Sequence, residues 1–276
     1  MIALRAGWRR GLILLRQSFS NGAELFAHVF WPLLMVGAAV ALRGRDFGAF
    51  SLGALAVPGI LGMNAAFGMV SLSQQLTADR EDGTLLRARA TPHGMPAYLI
   101  GTLLLVGGGL LADLAVFLVP AALLVPGLVT GGLGTWLTVA GLLALALVAT
   151  LPLGVVLGAA FGTARAQGLL TLPILGLVAI SGIFYPLAAL PGWLQAVGQV
   201  FPFYWLGLGM RAALLPDAAV AVELGESWRH AETVGVLAVW AVAGLLLAPV
   251  VLRRMARRES GSLVAARRER ALRRAG

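Results

Sequence analysis

The sequence predicts an all-α membrane protein with six transmembrane helices, and three observations carry that expectation. Of its 276 residues, 59% are apolar and only 12% charged, well below the charge content of a soluble domain. Several apolar stretches reach the roughly 20 residues that a bilayer crossing requires. The arginines are sorted unequally between alternate connecting segments.

Residues 1–22 read as an amphipathic interfacial helix. Ile2, Leu4, Trp8, Leu12 and Leu15 alternate with Arg5, Arg9, Arg10 and Arg16 at helical spacing. A signal peptide is not expected, since Arg16 interrupts the apolar stretch and no small-residue cleavage site follows. The first span covers about 25–42, with Glu24 and His28 at its start and Trp31-Pro32 within it. After a loop at 43–46 the second span covers about 50–76, interrupted by Pro58-Gly59.

Residues 77–93, TADREDGTLLRARATPH, form the most polar internal segment and read as a loop in which Asp79 caps a short helix that Pro92 stops. The third span follows over about 97–125, a small turn over 126–134, and the fourth span to about 161. The fifth runs from about 169 to 186. The stretch 186–207 is apolar but broken by Pro191, Gly192 and Pro202. Such breaks are tolerated at membrane depth only where protein or water satisfies the freed backbone groups, so two short re-entrant or interfacial helices are expected between the fifth and sixth spans. A net-acidic polar loop precedes the last span, about 233–252. One membrane domain thus covers 1–252, followed by a basic tail over 253–276 that is either an interfacial helix or disordered.

Orientation follows from the positive-inside rule. With the N-terminus inside, cytoplasmic segments hold 17 arginines and outer segments 4. Both termini are then cytoplasmic, which requires an even number of spans. The net charge of +9 is assigned to anionic lipid heads and topology rather than to nucleic acid.

Absences bound the chemistry. There is no cysteine, which excludes disulfides and thiolate sites. All 21 basic residues are arginine, so the lysine of a P-loop is missing. No catalytic residue, metal site or cofactor site is expected, and His28, His93 and His230 fall in separate regions of the chain. Asp113 is the one acid deep in a span. A charge there costs at least about 2.5–3.5 kcal/mol on insertion scales, so it is either a pathway or proton-linked site or a satisfied packing residue. Asn64 is a second polar candidate for the pathway. Gly154, Gly158 and Gly162 repeat every four residues, a pattern that permits close helix approach within one chain or across a dimer.

Two runs carry a family resemblance. In 76–104, Gly83-Thr84-Leu85, Leu86 with Thr91-Pro92, and Tyr98-Leu99 with Gly101 follow an acidic-basic stretch. In 181–215, Ser181-Gly182, Tyr185-Pro186, Leu190-Pro191, Trp193-Leu194-Gln195, Pro202 and Arg211 occur in order. Together these resemble the permeases of ABC-2 type transporters, and the overall look is similar to the bacterial daunorubicin-type drug exporters. Phe203-Tyr204-Trp205 departs from the usual pattern at the outer gate.

The resemblance implies a homodimeric permease in the bacterial inner membrane. It would work with two copies of a separate ABC ATPase subunit, which binds the ATP and magnesium, and export an amphipathic drug, antibiotic or lipid-like molecule. Asp79, Arg80, Glu81, Asp82, Gly83, Thr84, Leu85, Arg87, Thr91 and Pro92 would form the coupling helix to that ATPase. Tyr185, Pro186, Pro191, Trp193 and Pro202 would form the outer gate. A secondary transporter using Asp113 as its proton or ion site is the alternative.

Overall fold

In the computed structural model the described residues are 2–47, 50–183, 185 and 187–258. Pro186 and the tail from 259 onward lie outside them.

The described chain is helical apart from a hairpin of two-residue strands, β1 (Asp46–Phe47) and β2 (Phe50–Ser51), which the sequence reading did not anticipate. Five helices are long and apolar enough to cross a membrane: α2 (Gly22–Ala41), α3 (Leu52–Glu81), α5 (Gly94–Leu124), α6 (Leu133–Ala160) and α10 (His230–Arg258). The remainder are α1 (Ile2–Ser20), α4 (Thr84–Arg89), α7 (Ala164–Ala179), α8 (Gly192–Val200) and α9 (Pro202–Leu214). α7 has 16 residues, about 24 Å, against a hydrocarbon core of about 30 Å.

Two expectations need correction. The second span is not interrupted at Pro58-Gly59, since α3 runs unbroken for 30 residues with Pro58 inside it. A proline ring removes one N–H and crowds one carbonyl, which an apolar helix near its start tolerates. The same helix extends to Glu81, so the first residues of the expected 77–93 loop are helical.

Close approaches fix the helix directions. Gly7 of α1 lies against Ile100 and Ala97 of α5, Gly11 against Leu104, and Gly108 against Leu15. α1 therefore runs beside α5 in the same direction. α2 continues along α5 after the break at Asn21, with His28 beside Gly109. α3 opposes both: its Gly53 meets Ala39, and its Gly68 meets Leu110.

The α6 glycines pack within the chain. Gly154 faces Met69, Gly158 faces Ser73 and Gly162 faces Arg80, so α6 runs parallel to α3. α10 runs parallel to α6, with Gly244 at Pro152 and Leu153. The ends of α3, α6 and α10 consequently lie at the end of the molecule that carries α4. Each of α2, α3, α5, α6, α7 and α10 contains an internal proline: Pro32, Pro58, Pro120, Pro152, Pro173 and Pro249.

Candidate functional site

At one end of the bundle, α3 and α5 are joined by a compact unit. Asp82 ends α3, and its Oδ1 accepts from the Thr84 backbone N–H at 2.7 Å. Gly83 takes a left-handed conformation (φ 78°) and reverses the chain into α4. His93, also left-handed at φ 57°, starts α5. The Arg87 guanidinium donates to Thr84 Oγ1 at 2.8 Å, and Thr91 Oγ1 donates to the Ala88 carbonyl at 3.0 Å.

α4 has two faces. Leu85 and Ala88 are buried in a cluster with Leu72, Leu76, Tyr98, Leu252 and Met255. Glu81, Asp82, Arg87, Arg89, Thr91 and Pro92 are exposed. The unit presents charges outward while its apolar side is continuous with the spans α3, α5 and α10.

Asp79 departs from the capping role expected for it. It is 7% exposed and accepts from Tyr98 Oη at 2.7 Å and from Gln75 Nε2 at 2.9 Å. The capping falls to Asp82 because Asp79 is still one turn inside α3 and turned toward α5. The Arg10 guanidinium stacks on the Tyr98 ring, 4.9 Å from its centroid. One tyrosine thus ties α1, α3 and α5 together beneath α4. Arg80 lies at the same end, against Gly162.

A second polar group sits within the bundle. His28 Nδ1 is 2.5 Å from Asp113 Oδ1, and Ser18 Oγ is 3.1 Å from His28 Nε2. Asp113 is therefore paired, with His28 of α2. Asp113 stands 11 residues from the end of α5, about 16 Å, or half the thickness of a bilayer core. The pair borders a cleft of about 220 Å³ that Glu24, Ser71 and Gln75 also line.

The connectivity is that of a serine–histidine–aspartate relay. Ser18, however, lies in the last turn of α1, where a helix presents carbonyls rather than the N–H donors that an oxyanion requires. Asn64 is not part of this group; its Nδ2 donates to the Ile60 carbonyl at 2.8 Å and to Met35 Sδ at 3.4 Å.

At the opposite end, Pro191 precedes α8 and Pro202 opens α9. Trp193 is 68% exposed, and the Tyr185 hydroxyl donates to the Ala179 carbonyl. The residue that organises this end is Arg211. It is buried, donates from Nε to Glu223 Oε1 at 2.5 Å and from Nη2 to Oε2 at 3.2 Å, and reaches the Gly182 and Ile183 carbonyls at 3.0 and 3.3 Å. Arg229 stacks on Trp205 at 4.7 Å and donates to Gln199 Oε1 at 2.6 Å.

His28, Tyr98, Arg10 and Glu223 escaped assignment from the sequence. Tyr98 was legible only as a motif letter, and His28 only as a second ionisable residue in an apolar stretch.

The family model described as ABC-2 type transporter matches residues 3–215. No curated protein matches the chain.

Proposed function

The chain belongs to the ABC-2 type transporter family, and from that premise we propose that it is the membrane subunit of an ATP-driven exporter, acting as a homodimer with two copies of an ABC ATPase. It is a membrane protein, and permeases of this family normally work with such an ATPase. The observation that carries the proposal is the mounting of α4. Its charges face outward and its buried face joins the spans, as a part that transmits force from a docked partner must. ATP and magnesium belong to the partner, since this chain has no lysine with which to build a P-loop.

The α4 end is assigned to the cytoplasm of a bacterial inner membrane, with both termini there. The arginine distribution supports this. Six crossings are supported by the helix directions: α6 and α10 run the same way, so residues 161–229 return the chain once between them, α7 beginning that return. α8 and α9 act as re-entrant helices closing the outer end, with Tyr185, Pro191, Trp193 and Pro202 at the gate.

An amphipathic drug-like or lipid-like cargo suits a bundle whose interior is largely apolar apart from the Arg211–Glu223 ion pair and a histidine–aspartate pair at mid-depth, as does the daunorubicin-type branch and a part in antibiotic resistance. That pair, His28 and Asp113, favours one second reading, a proton-linked secondary transporter. The deciding experiment is reconstitution with and without a partner ABC ATPase. Vesicle uptake that requires ATP and the partner is the expected result. Uptake driven by a proton gradient without any ATPase would establish the second reading instead.

A further inference from the structure

We propose that the recess between α3, α6 and α10 at the α4 end is a binding site for the phosphodiester head of an anionic phospholipid. The recess has a volume of about 480 Å³, within the range of small-molecule sites. Arg80 stands on one wall and Arg254 on another, and Ala159, Ala160, Gly162 and Thr163 form part of the lining. Gly162 is what admits the first guanidinium, since a Cβ added there would overlap it.

Arg254 is shared. It also lines a second recess, of about 280 Å³, with Pro249, Val250, Arg253 and Arg257. Arg253, Arg254 and Arg257 are exposed on the last turns of α10, more than 20 residues after His230, where a helix of 1.5 Å rise has crossed the hydrocarbon.

A guanidinium such as that of Arg254 matches phosphate oxygens in geometry as well as charge. Apolar and small residues beside them, Ala159, Val250 and Val251, suit the glycerol and first acyl carbons. Basic pockets between spans at the cytoplasmic side are where anionic headgroups are held. The proposal rests on placing the α4 end at the inner leaflet, but it needs neither the ATPase nor a known cargo. Occupancy would clamp the end of α3, and with it the helix that leads into α4, to the end of α10.

The test uses the full chain in phosphatidylcholine nanodiscs with a trace of spin-labelled phosphatidylglycerol, reading the motionally restricted fraction. The wild type should restrict phosphatidylglycerol more than spin-labelled phosphatidylcholine. Arg254→Gln should weaken that preference about five-fold, as expected for one arginine at an anionic headgroup. Ala160→Phe, which fills the recess without touching charge, should weaken it as well. Arg43→Gln, at the opposite end, should leave it unchanged.

Equal restriction of the two lipids by the wild type would overturn the proposal. So would an unchanged preference in Ala160→Phe, which would reveal a diffuse basic surface. Displacement of the labelled lipid by inorganic phosphate, but not by chloride at equal ionic strength, would mean that the recess takes a soluble anion. Because the readout is lipid association in a bilayer open on both faces, it can fail while the transport reading stands, and the reverse.

Discussion

Tyr98 Oη donates to Asp79 Oδ2 at 2.7 Å across 19 residues of sequence, joining the last turn of α3 to the first turns of α5 on either side of α4. The two helices that hold α4 are thereby fastened to each other at its base. Tyr98→Phe keeps the ring and the Arg10 stacking but leaves Asp79 with the hydrogen bond from Gln75 alone in place of the two described. We expect a loss of about 1.5–3 kcal/mol for a hydrogen bond to a charged group. Partner ATPase activity should become less dependent on cargo while cargo binding persists. Unfolding temperature and cargo-stimulated ATPase activity measure the two effects, and unchanged coupling would leave this bond a structural one.

Gly83 tests the turn into α4. Its φ of 78° costs an ordinary side chain about 1–2 kcal/mol and a β-branched one more. Gly83→Val should abolish transport with insertion and dimerisation intact, whereas Gly83→Asn should retain most of it, since asparagine adopts this conformation readily. Asp82 is best left in place here because it also caps Thr84. Glu81→Lys reverses an exposed charge alone and should weaken partner docking by no more than about 1 kcal/mol. Normal vesicle uptake by Gly83→Val would remove α4 from the coupling path.

The His28–Asp113 pair separates packing from transport chemistry. Asp113→Asn keeps size and removes charge. If the pair only holds α2 to α5, each single substitution lowers stability and Asp113→Leu with His28→Leu recovers it, because well-packed apolar residues often replace an internal ion pair without loss. If the pair serves the pathway, the double variant stays folded but loses transport or its pH dependence. A double-mutant cycle read by unfolding and by uptake at several pH values distinguishes these outcomes.

Arg211→Leu should destabilise the protein by about 3–5 kcal/mol, since Glu223 is left charged and 4% exposed. Adding Glu223→Leu should restore much of that. A single variant as stable as the wild type would show that water reaches Glu223.

Orientation is open to cysteine labelling because the native chain has no cysteine. Asp217→Cys should react with an impermeant reagent from outside, and Arg165→Cys only after the membrane is opened. The reverse pattern would invert the whole topology.

Periodicity and length made most of the spans legible, since α2, α5, α6 and α10 lie within a few residues of the apolar stretches that announce them. Pro58 misled because proline breaks helices in water, where freed groups are solvated, but not inside a packed apolar helix. The polar segment at 77–93 was legible in outline, although its first five residues continue α3 as helix. Which of its charges face outward was not, because the burial of Asp79 depends on Tyr98, whose contact is set by the antiparallel register of α3 and α5. His28 and Asp113 are 85 residues apart in sequence, and only the parallel course of α2 along α5 brings them to one depth.

The prolines of the apolar helices have a mechanical meaning. A proline leaves the carbonyl four residues earlier without its helical N–H, here those of His28, Ala54, Val116, Val148, Leu169 and Leu245. At each such point the helix can flex without breaking a bond, because the bond was never made. Under the proposed coupling role of α4, a push arriving there would meet helices with built-in joints rather than stiff rods.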